Sequence, residues 1–286
     1  MTNKKIAYLG PKDSYSFLAA SEFSNDGDSL ISLATFLDVL DYVRHNKADL
    51  AVVPLENSTE GLVNEVTDGL IFNNGQLDNL YNDEKSDNLY INYEFSLPIN
   101  NFLIAKEKAD FSKIDKVFTH WQPYGQCRNT LKKILPNAKI IFSDSTSSSI
   151  ASIKNTAQAA IGGRQLVSDG FKSSDICIND AQDNCTRFAV LSKENITCAK
   201  NTKLTVCFEA HNKPGGLLEN LEVFKNANLN MTRIESRPHK SKLGRYVFIV
   251  DILGNVLDDK TNKALEKLKK SVEFYKYLGG YVEIKH

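Results

Sequence analysis

Between residues 4 and 191, short runs of apolar and β-branched residues alternate with longer segments in which apolar positions recur every three or four residues. Residues 6–9 read as a strand, and 14–23 as a helix with Tyr15, Leu18, Ala19 and Phe23 on one face. A strand at 30–33 precedes a helix at 35–45 whose apolar side carries Phe36, Val39, Leu40 and Val43. Residues 50–53 form a fully apolar strand that Pro54 is expected to close. Further strands are expected at 116–119, 138–142, 159–162 and 187–191, with helices between them. Such alternation predicts parallel βαβ units. Residues 73–92, rich in Asn and Asp, break the pattern and read as a long loop or crossover between two lobes.

The texture changes after residue 191. Residues 192–202 hold little apolar content and read as a linker. A strand at 204–208 leads to a helix, with Asn212 expected as its N-cap, Pro214 in its first turn, and Leu217, Leu221 and Phe224 on its apolar face. Strands at 229–237 and 245–253 follow. A second helix carries Leu265, Leu268, Val272 and Tyr275, and a last strand covers 281–284. The order is βαββαβ, a ferredoxin-like unit. The pattern as a whole is therefore α/β, with a larger first unit and a smaller second one.

Composition narrows the function classes. The 286 residues suit about two domains. Thirty-five basic residues balance thirty-five acidic ones, which argues against a nucleic-acid partner and against recruitment to a membrane by basic charge. No apolar run approaches the ~20 residues of a membrane span, and residues 1–5 lead directly into the first strand without a signal peptide's apolar core. A cytoplasmic protein is expected. Five cysteines without a CxxC pair, and five scattered histidines, give no metal-ligand spacing and read as reduced core cysteines and single histidines. The neutral total also conceals a division. Residues 1–199 hold 19 basic and 25 acidic side chains, whereas 200–286 hold 16 and 10.

Candidate chemistry gathers at the carboxyl ends of the strands, where open α/β folds bind ligands. The segments are 10–16 (Gly10, Pro11, Tyr15, Ser16), 54–61 (Glu56, Asn57, Ser58) and 120–127 (His120, Gln122, Gln126), and 184–188 (Thr186, Arg187, Phe188), at the start of the strand expected at 187–191, closes the array. No GxGxxG follows a strand and no GxxxxGK[ST] occurs, so neither a dinucleotide nor a nucleotide triphosphate is indicated. Asn, Ser, Thr and Gln in these positions suit an oxygen-rich organic anion. Each segment also has a plainer reading. Residues 56–58 cap a helix starting near Leu62, Gly10-Pro11 is a turn, Thr186 is a strand hydroxyl, His120 is a hydrogen-bonded structural residue, and Arg187 is an ion-pair partner rather than a carboxylate clamp.

Taken together, the motifs resemble the prephenate dehydratases that carry a C-terminal ACT regulatory domain, over essentially the whole chain. The family's Pro-x-Glu-Asn-Ser-x-x-Gly block stands as Pro54, Glu56, Asn57, Ser58 and Gly61, and its Thr-Arg-Phe block as Thr186, Arg187 and Phe188. The glutamine block is matched by His120, Gln122, Gln126 and Cys127. The regulatory blocks are matched by Gly215-Gly216-Leu217-Leu218 and by Glu235-Ser236-Arg237-Pro238. Trp121 stands where the family usually has Pro, Gly216 where it has Ala, and Asn101 where a His is frequent.

The resemblance implies a two-lobed, periplasmic-binding-protein-like catalytic domain at 1–192 and a ferredoxin-like ACT domain at 203–286. It implies conversion of prephenate to phenylpyruvate without a cofactor or metal, feedback by L-phenylalanine, and a homodimer or homotetramer. Thr186 would donate to the leaving hydroxyl, with Glu56 as proton relay and Asn57 and Ser58 beside it. Arg187, Phe188, Gln122, Gln126, Tyr15, Ser16 and His120 would bind substrate. Asn212, Pro214, Gly215, Gly216, Leu217 and Leu218, with Glu235 to Pro238, would hold the effector. A chain ending near Lys200 is expected to be active but insensitive. The alternatives are an arogenate dehydratase and, from another class, a non-catalytic amino-acid sensor.

Overall fold

The computed structural model describes residues 3–73, 76–77 and 88–285. Its first lobe comprises β1 (Lys5–Leu9), α1 (Tyr15–Phe23), β2 (Ser29–Leu33), α2 (Phe36–Arg44), β3 (Leu50–Asn57), β4 (Gly61–Leu62), α3 (Asn64–Ile71), a small hairpin of β5 (Phe72–Asn73) and β6 (Gln76–Leu77), and β7 (Tyr90–Pro98). Local chemistry sets the helix starts. Ser14 caps α1 by accepting from the Phe17 N–H, and Thr35 caps α2 by accepting from that of Asp38. The second lobe holds β8 (Phe102–Lys106), β9 (Lys116–Thr119), α4 (Trp121–Ile134), β10 (Lys139–Phe142), α5 (Thr146–Ala151), β11 (Gln158–Gly162) and β12 (Phe171–Ser173). The chain then returns through β13 (Cys185–Ser192).

The parallel pattern expected from sequence holds for β2-β1-β3 and for β10-β9-β11. It fails where the chain crosses between lobes. β13 is antiparallel to both β3 and β7, and β8 is antiparallel to β11. Two further expectations are corrected. Pro54 does not close β3, which runs on to Asn57. Arg187 lies opposite Glu56 while Phe188 lies opposite Pro54, so Leu55 is the extra residue of a bulge, a place where a strand tolerates proline. Residues 73–92 are not one loop, because β6 and the start of β7 fall within them; residues 74–75 and 78–87 lie outside the described residues.

After β13 come β14 (Lys203–Glu209), α6 (Gly216–Asn226), β15 (Met231–Pro238), β16 (Tyr246–Leu253), α7 (Asp259–Ser271) and β17 (Phe274–Ile284), the βαββαβ order. Asn212 is not the cap of α6. Gly215 is, in the left-handed region at φ +78°, and Gly216 packs so closely on the His211 carbonyl that a Cβ there would collide with it. Tyr275 does not belong to α7 either, because Val272 already ends that helix and Tyr275 lies in β17.

Two features join this unit to the first lobe. Its sheet, ordered β15-β16-β14-β17, continues through β17 into β7, so one sheet runs β15-β16-β14-β17-β7-β13-β3-β1-β2. Val282–Ile284 pair in parallel with Tyr93–Phe95. Gly279, at φ +116°, makes the approach possible, since a Cβ would run into the Ile91 carbonyl. In addition, the sheet face opposite α6 and α7 buries Cys207, Val247, Ile249, Phe274, Leu278 and Tyr281 in one core with Val39, Leu40 and Val43 of α2 and Val66, Leu70 and Ile71 of α3. The expected linker is fastened as well: the Asn201 side chain donates to the carbonyls of Ile196 and Gly280. Of the cysteines, Cys127 and Cys207 are buried and the other three are only partly so.

Candidate active site

The lobes face each other across a cavity of about 660 Å³, within the range of small-ligand sites. The first lobe lines it with Tyr15 and Ser16 at the start of α1, with Pro54 and Asn57 of β3, and with Thr186 and Phe188 of β13. The second lobe contributes Asn101, the start of α4 (His120, Trp121, Gln122 and Gln126), the 144–147 segment, and Gly162, Gly163, Gln165 and Leu166.

Strand alternation sorts the motif residues into two sets. On β13, Thr186 and Phe188 face the cavity and Arg187, between them, faces the other side. On β3, Asn57 lines the cavity and Glu56 does not. The two strands are in register, Thr186 opposite Asn57 and Arg187 opposite Glu56. The sheet therefore carries a polar pair on its cavity face, backed by an ion pair on the reverse.

The cavity pair is closely defined. The Asn57 side-chain amide donates to Thr186 Oγ1 at 2.9 Å, to Asn184 Oδ1 at 2.9 Å and to the Cys185 carbonyl at 3.1 Å. Its oxygen accepts from the Thr59 N–H, the Thr59 hydroxyl and the Glu60 N–H. The amide cannot rotate without losing these bonds. Because Asn57 donates to Thr186 Oγ1, the threonine's own O–H is left to point elsewhere and serve a bound group as a donor. Ser58 plays a different part from the one expected. Its Oγ accepts from the Cys185 N–H at 3.0 Å and braces the 183–185 turn, outside the cavity lining.

Tyr15 spans the lobes, donating to the Asn100 carbonyl at 2.7 Å; burial pushes its hydroxyl up to about 12, so it stays a donor at neutral pH. Gln126 is oriented by Asn101, which donates to its Oε1 at 3.0 Å and leaves Nε2 to approach Glu60 across the cleft at 3.4 Å. Asn101 and Glu60 line the cavity as well, although the motifs mark Asn101 only as a departure and do not mark Glu60. His120 sits at the N-cap of α4 and makes no side-chain cap, so that helix begins on the cavity wall with free N–H groups. Among the described residues no lysine or arginine lines the cavity. A bound anion would thus be met by neutral donors.

Arg187 is not a clamp for substrate. It is buried, and of its two open readings the structure supports the ion pair: Nη1 reaches Glu94 at 2.5 Å and Asp251 at 2.9 Å, and Nη2 reaches Glu56 at 3.2 Å. Burial opposes its charge, but Asp251, Glu94 and Glu56 together hold its pKa above the ordinary value. Glu56, the expected proton relay, is engaged on that same reverse face. The effector motif is divided similarly. Alternate residues of β15, Arg233, Glu235 and Arg237, are partly buried, and Arg237 binds Asp68 of α3 at 2.7 Å and Asn64 at 2.6 Å. Ser236, Pro238 and Leu218 are exposed. Among the described residues no group of three or more His, Cys, Asp or Glu is placed to hold a metal, and no helix is long and apolar enough to cross a membrane.

Comparison with known proteins agrees with this architecture. The family model for prephenate dehydratase matches residues 6–196, and that for the ACT domain matches 205–270. The chain is 34% identical over 286 residues to the prephenate dehydratase of Lactococcus lactis subsp. cremoris, covering 97% of each. It is 33% identical over 279 residues to the bifunctional chorismate mutase/prephenate dehydratase of Aquifex aeolicus, covering 97% of this chain and 73% of that one. Among solved structures, the prephenate dehydratase of Arthrobacter aurescens in complex with L-Phe superposes with a TM-score of 0.82 at 29% identity, over 97% of this chain and 90% of that one. The two-lobed α/β fold followed by a C-terminal ACT domain is shared.

Proposed function

The chain belongs to the prephenate dehydratase family, and from that premise we propose that it converts prephenate to phenylpyruvate under feedback by L-phenylalanine. The ring carboxylate leaves as carbon dioxide, and its bonding pair enters the ring. The C–O bond at the opposite ring carbon breaks, and its pair leaves with the hydroxyl oxygen, which takes a proton to become water. The ring becomes aromatic, so the protein needs only to hold the dianion and stabilise the departing oxygen. Thr186 donates to that oxygen, and Asn57 fixes the direction in which it donates. The neutral donors Ser16, Gln122 and Gln126, with the first N–H groups of α4, receive the carboxylates.

The observation that carries this reading is the Asn57–Thr186 pair on the cleft wall, held in one orientation by six hydrogen bonds to the amide. A pure sensor has no use for a donor aimed at a leaving group. The catalytic region spans residues 1–192 and the regulatory domain 203–286, in a cytoplasmic homodimer or homotetramer. The test is to mix the purified chain with prephenate, and separately with arogenate, at neutral pH. Phenylpyruvate absorbance should rise with prephenate and fall when L-phenylalanine is added. Turnover of arogenate alone, or of neither, would overturn the reading.

A further inference from the structure

Behind the catalytic pair lies a buried network of six charges drawn equally from the two units. Glu56, Glu94 and Arg187 come from β3, β7 and β13, and Lys203, Arg233 and Asp251 from β14, β15 and β16. Lys203 binds Glu94 at 2.7 Å. Arg233 holds Asp251 with a two-pronged grip at 2.8 and 3.0 Å. Thr205 donates to Asp251 at 2.7 Å and contacts the Tyr281 hydroxyl at 2.9 Å. Three positive and three negative groups cancel only when both units are present; the first unit's share alone is negative and the second's positive.

One member is held less firmly than the others. Glu56 Oε2 lies 3.2 Å from Arg187 and 3.9 Å from Arg233, between the guanidinium groups of the two units, and its side chain is 37% exposed while the others are nearly buried. Both guanidinium groups also keep a buried N–H without a partner among the described residues, Nε of Arg187 and Nη1 of Arg233. The network thus has donors to spare, and a small shift of Glu56 exchanges one arginine for the other. Asn57, which orients Thr186, is the next residue. Arg233 is two residues before Glu235 on the same strand as the expected effector motif.

We infer that Glu56 and Arg233 are positioning residues: Glu56, shared between Arg187 and Arg233, carries the state of the ACT domain to the Asn57–Thr186 pair. The inference rests on the prephenate dehydratase reading. Neither residue lines the cavity, so their effect belongs in kcat rather than in KM. A displacement of β15 draws Arg233 toward or away from Glu56, and the backbone at Asn57 follows.

The test uses the full chain as wild type, Arg233→Gln, Arg233→Lys and Glu56→Gln, with prephenate turnover and calorimetric binding of L-phenylalanine measured on each. The readout is the ratio of turnover without L-phenylalanine to turnover at saturation. That ratio should fall by about two- to thirty-fold in Arg233→Gln, the span expected of residues that carry coupling, while L-phenylalanine still binds. Arg233→Lys should recover part of it, and Glu56→Gln should lower kcat with little change in KM. If Arg233→Gln does not fold, Arg233→Lys and Glu56→Gln decide the matter. An unchanged ratio in the folded variants, with a wild type that turns over prephenate and is inhibited, overturns this inference alone. A wild type that does not turn over prephenate overturns the functional reading first.

Discussion

Replacing Thr186 with valine removes one hydroxyl and almost no volume. In the folded protein Thr186 Oγ1 accepts from Asn57 Nδ2, but that amide also reaches Asn184 Oδ1 at 2.9 Å and the Cys185 carbonyl at 3.1 Å. No donor is therefore stranded, and the stability loss should be that of a single net hydrogen bond, about 1 kcal/mol. The chemical step loses more. A preorganised donor aimed at developing negative charge contributes roughly 3–4 kcal/mol, so kcat should fall by about 10²–10³. Thr186→Ser, which keeps the donor, should stay well above the valine variant. Phenylpyruvate formation gives kcat, and urea unfolding gives the stability term. A valine variant within tenfold of wild type, or a serine variant as slow as valine, would refute the donor role.

Asp251 offers a prediction in pH. Burial pushes its carboxyl up, but Arg233, then Arg187 and Thr205, bring it down to about 2 from an ordinary 3.8. A depressed carboxylate stabilises the fold above its unfolded pKa and loses that contribution as pH falls from about 4 toward 2, here about 2 kcal/mol. The difference in urea midpoint between wild type and Asp251→Asn should therefore shrink across that window; a constant difference would contradict the assignment. Gly279→Ala places a Cβ at φ +116° against the Ile91 carbonyl and should destabilise the chain by about 1–3 kcal/mol, read as a lowered Tm. An unchanged Tm would mean that β17 and β7 separate more easily than their pairing implies.

Much of this was written locally. The capping residues Ser14 and Thr35 and the apolar spacing of Val39, Leu40 and Val43 mark helices whose stabilising partners lie within a turn or two. The position of Thr186 and Asn57 at strand ends was legible for the same reason. What sequence could not show was which face each residue takes when its partner strand is far away. Arg187 and Glu56 lie beside cavity residues in the chain but on the reverse of the sheet, and only the register of β13 against β3 assigns them. Strand β7 was legible in its alternation, Ile91, Tyr93, Phe95 and Leu97 against Asn92, Glu94 and Ser96, but not that the polar Asn92 and Glu94 are buried, because their partners, Arg187, Lys203 and Ser192, are about a hundred residues away. The Gly279-Gly280 pair was the one local hint that β17 passes close to another backbone.

The pairing of Val282–Ile284 with Tyr93–Phe95 bears on how the protein is made. A ribosome releases residues 90–98 long before 282–284, and even β13, the other neighbour of β7, emerges nearly a hundred residues later. Until then β7 is an open edge of alternating apolar side chains, the kind of template to which unfinished chains attach. One edge of the first lobe's sheet therefore stays unpaired until residues 282–284 have been made. Chaperone dependence, and aggregation of nascent chains stalled between residues 100 and 280, follow from the same three-residue seam.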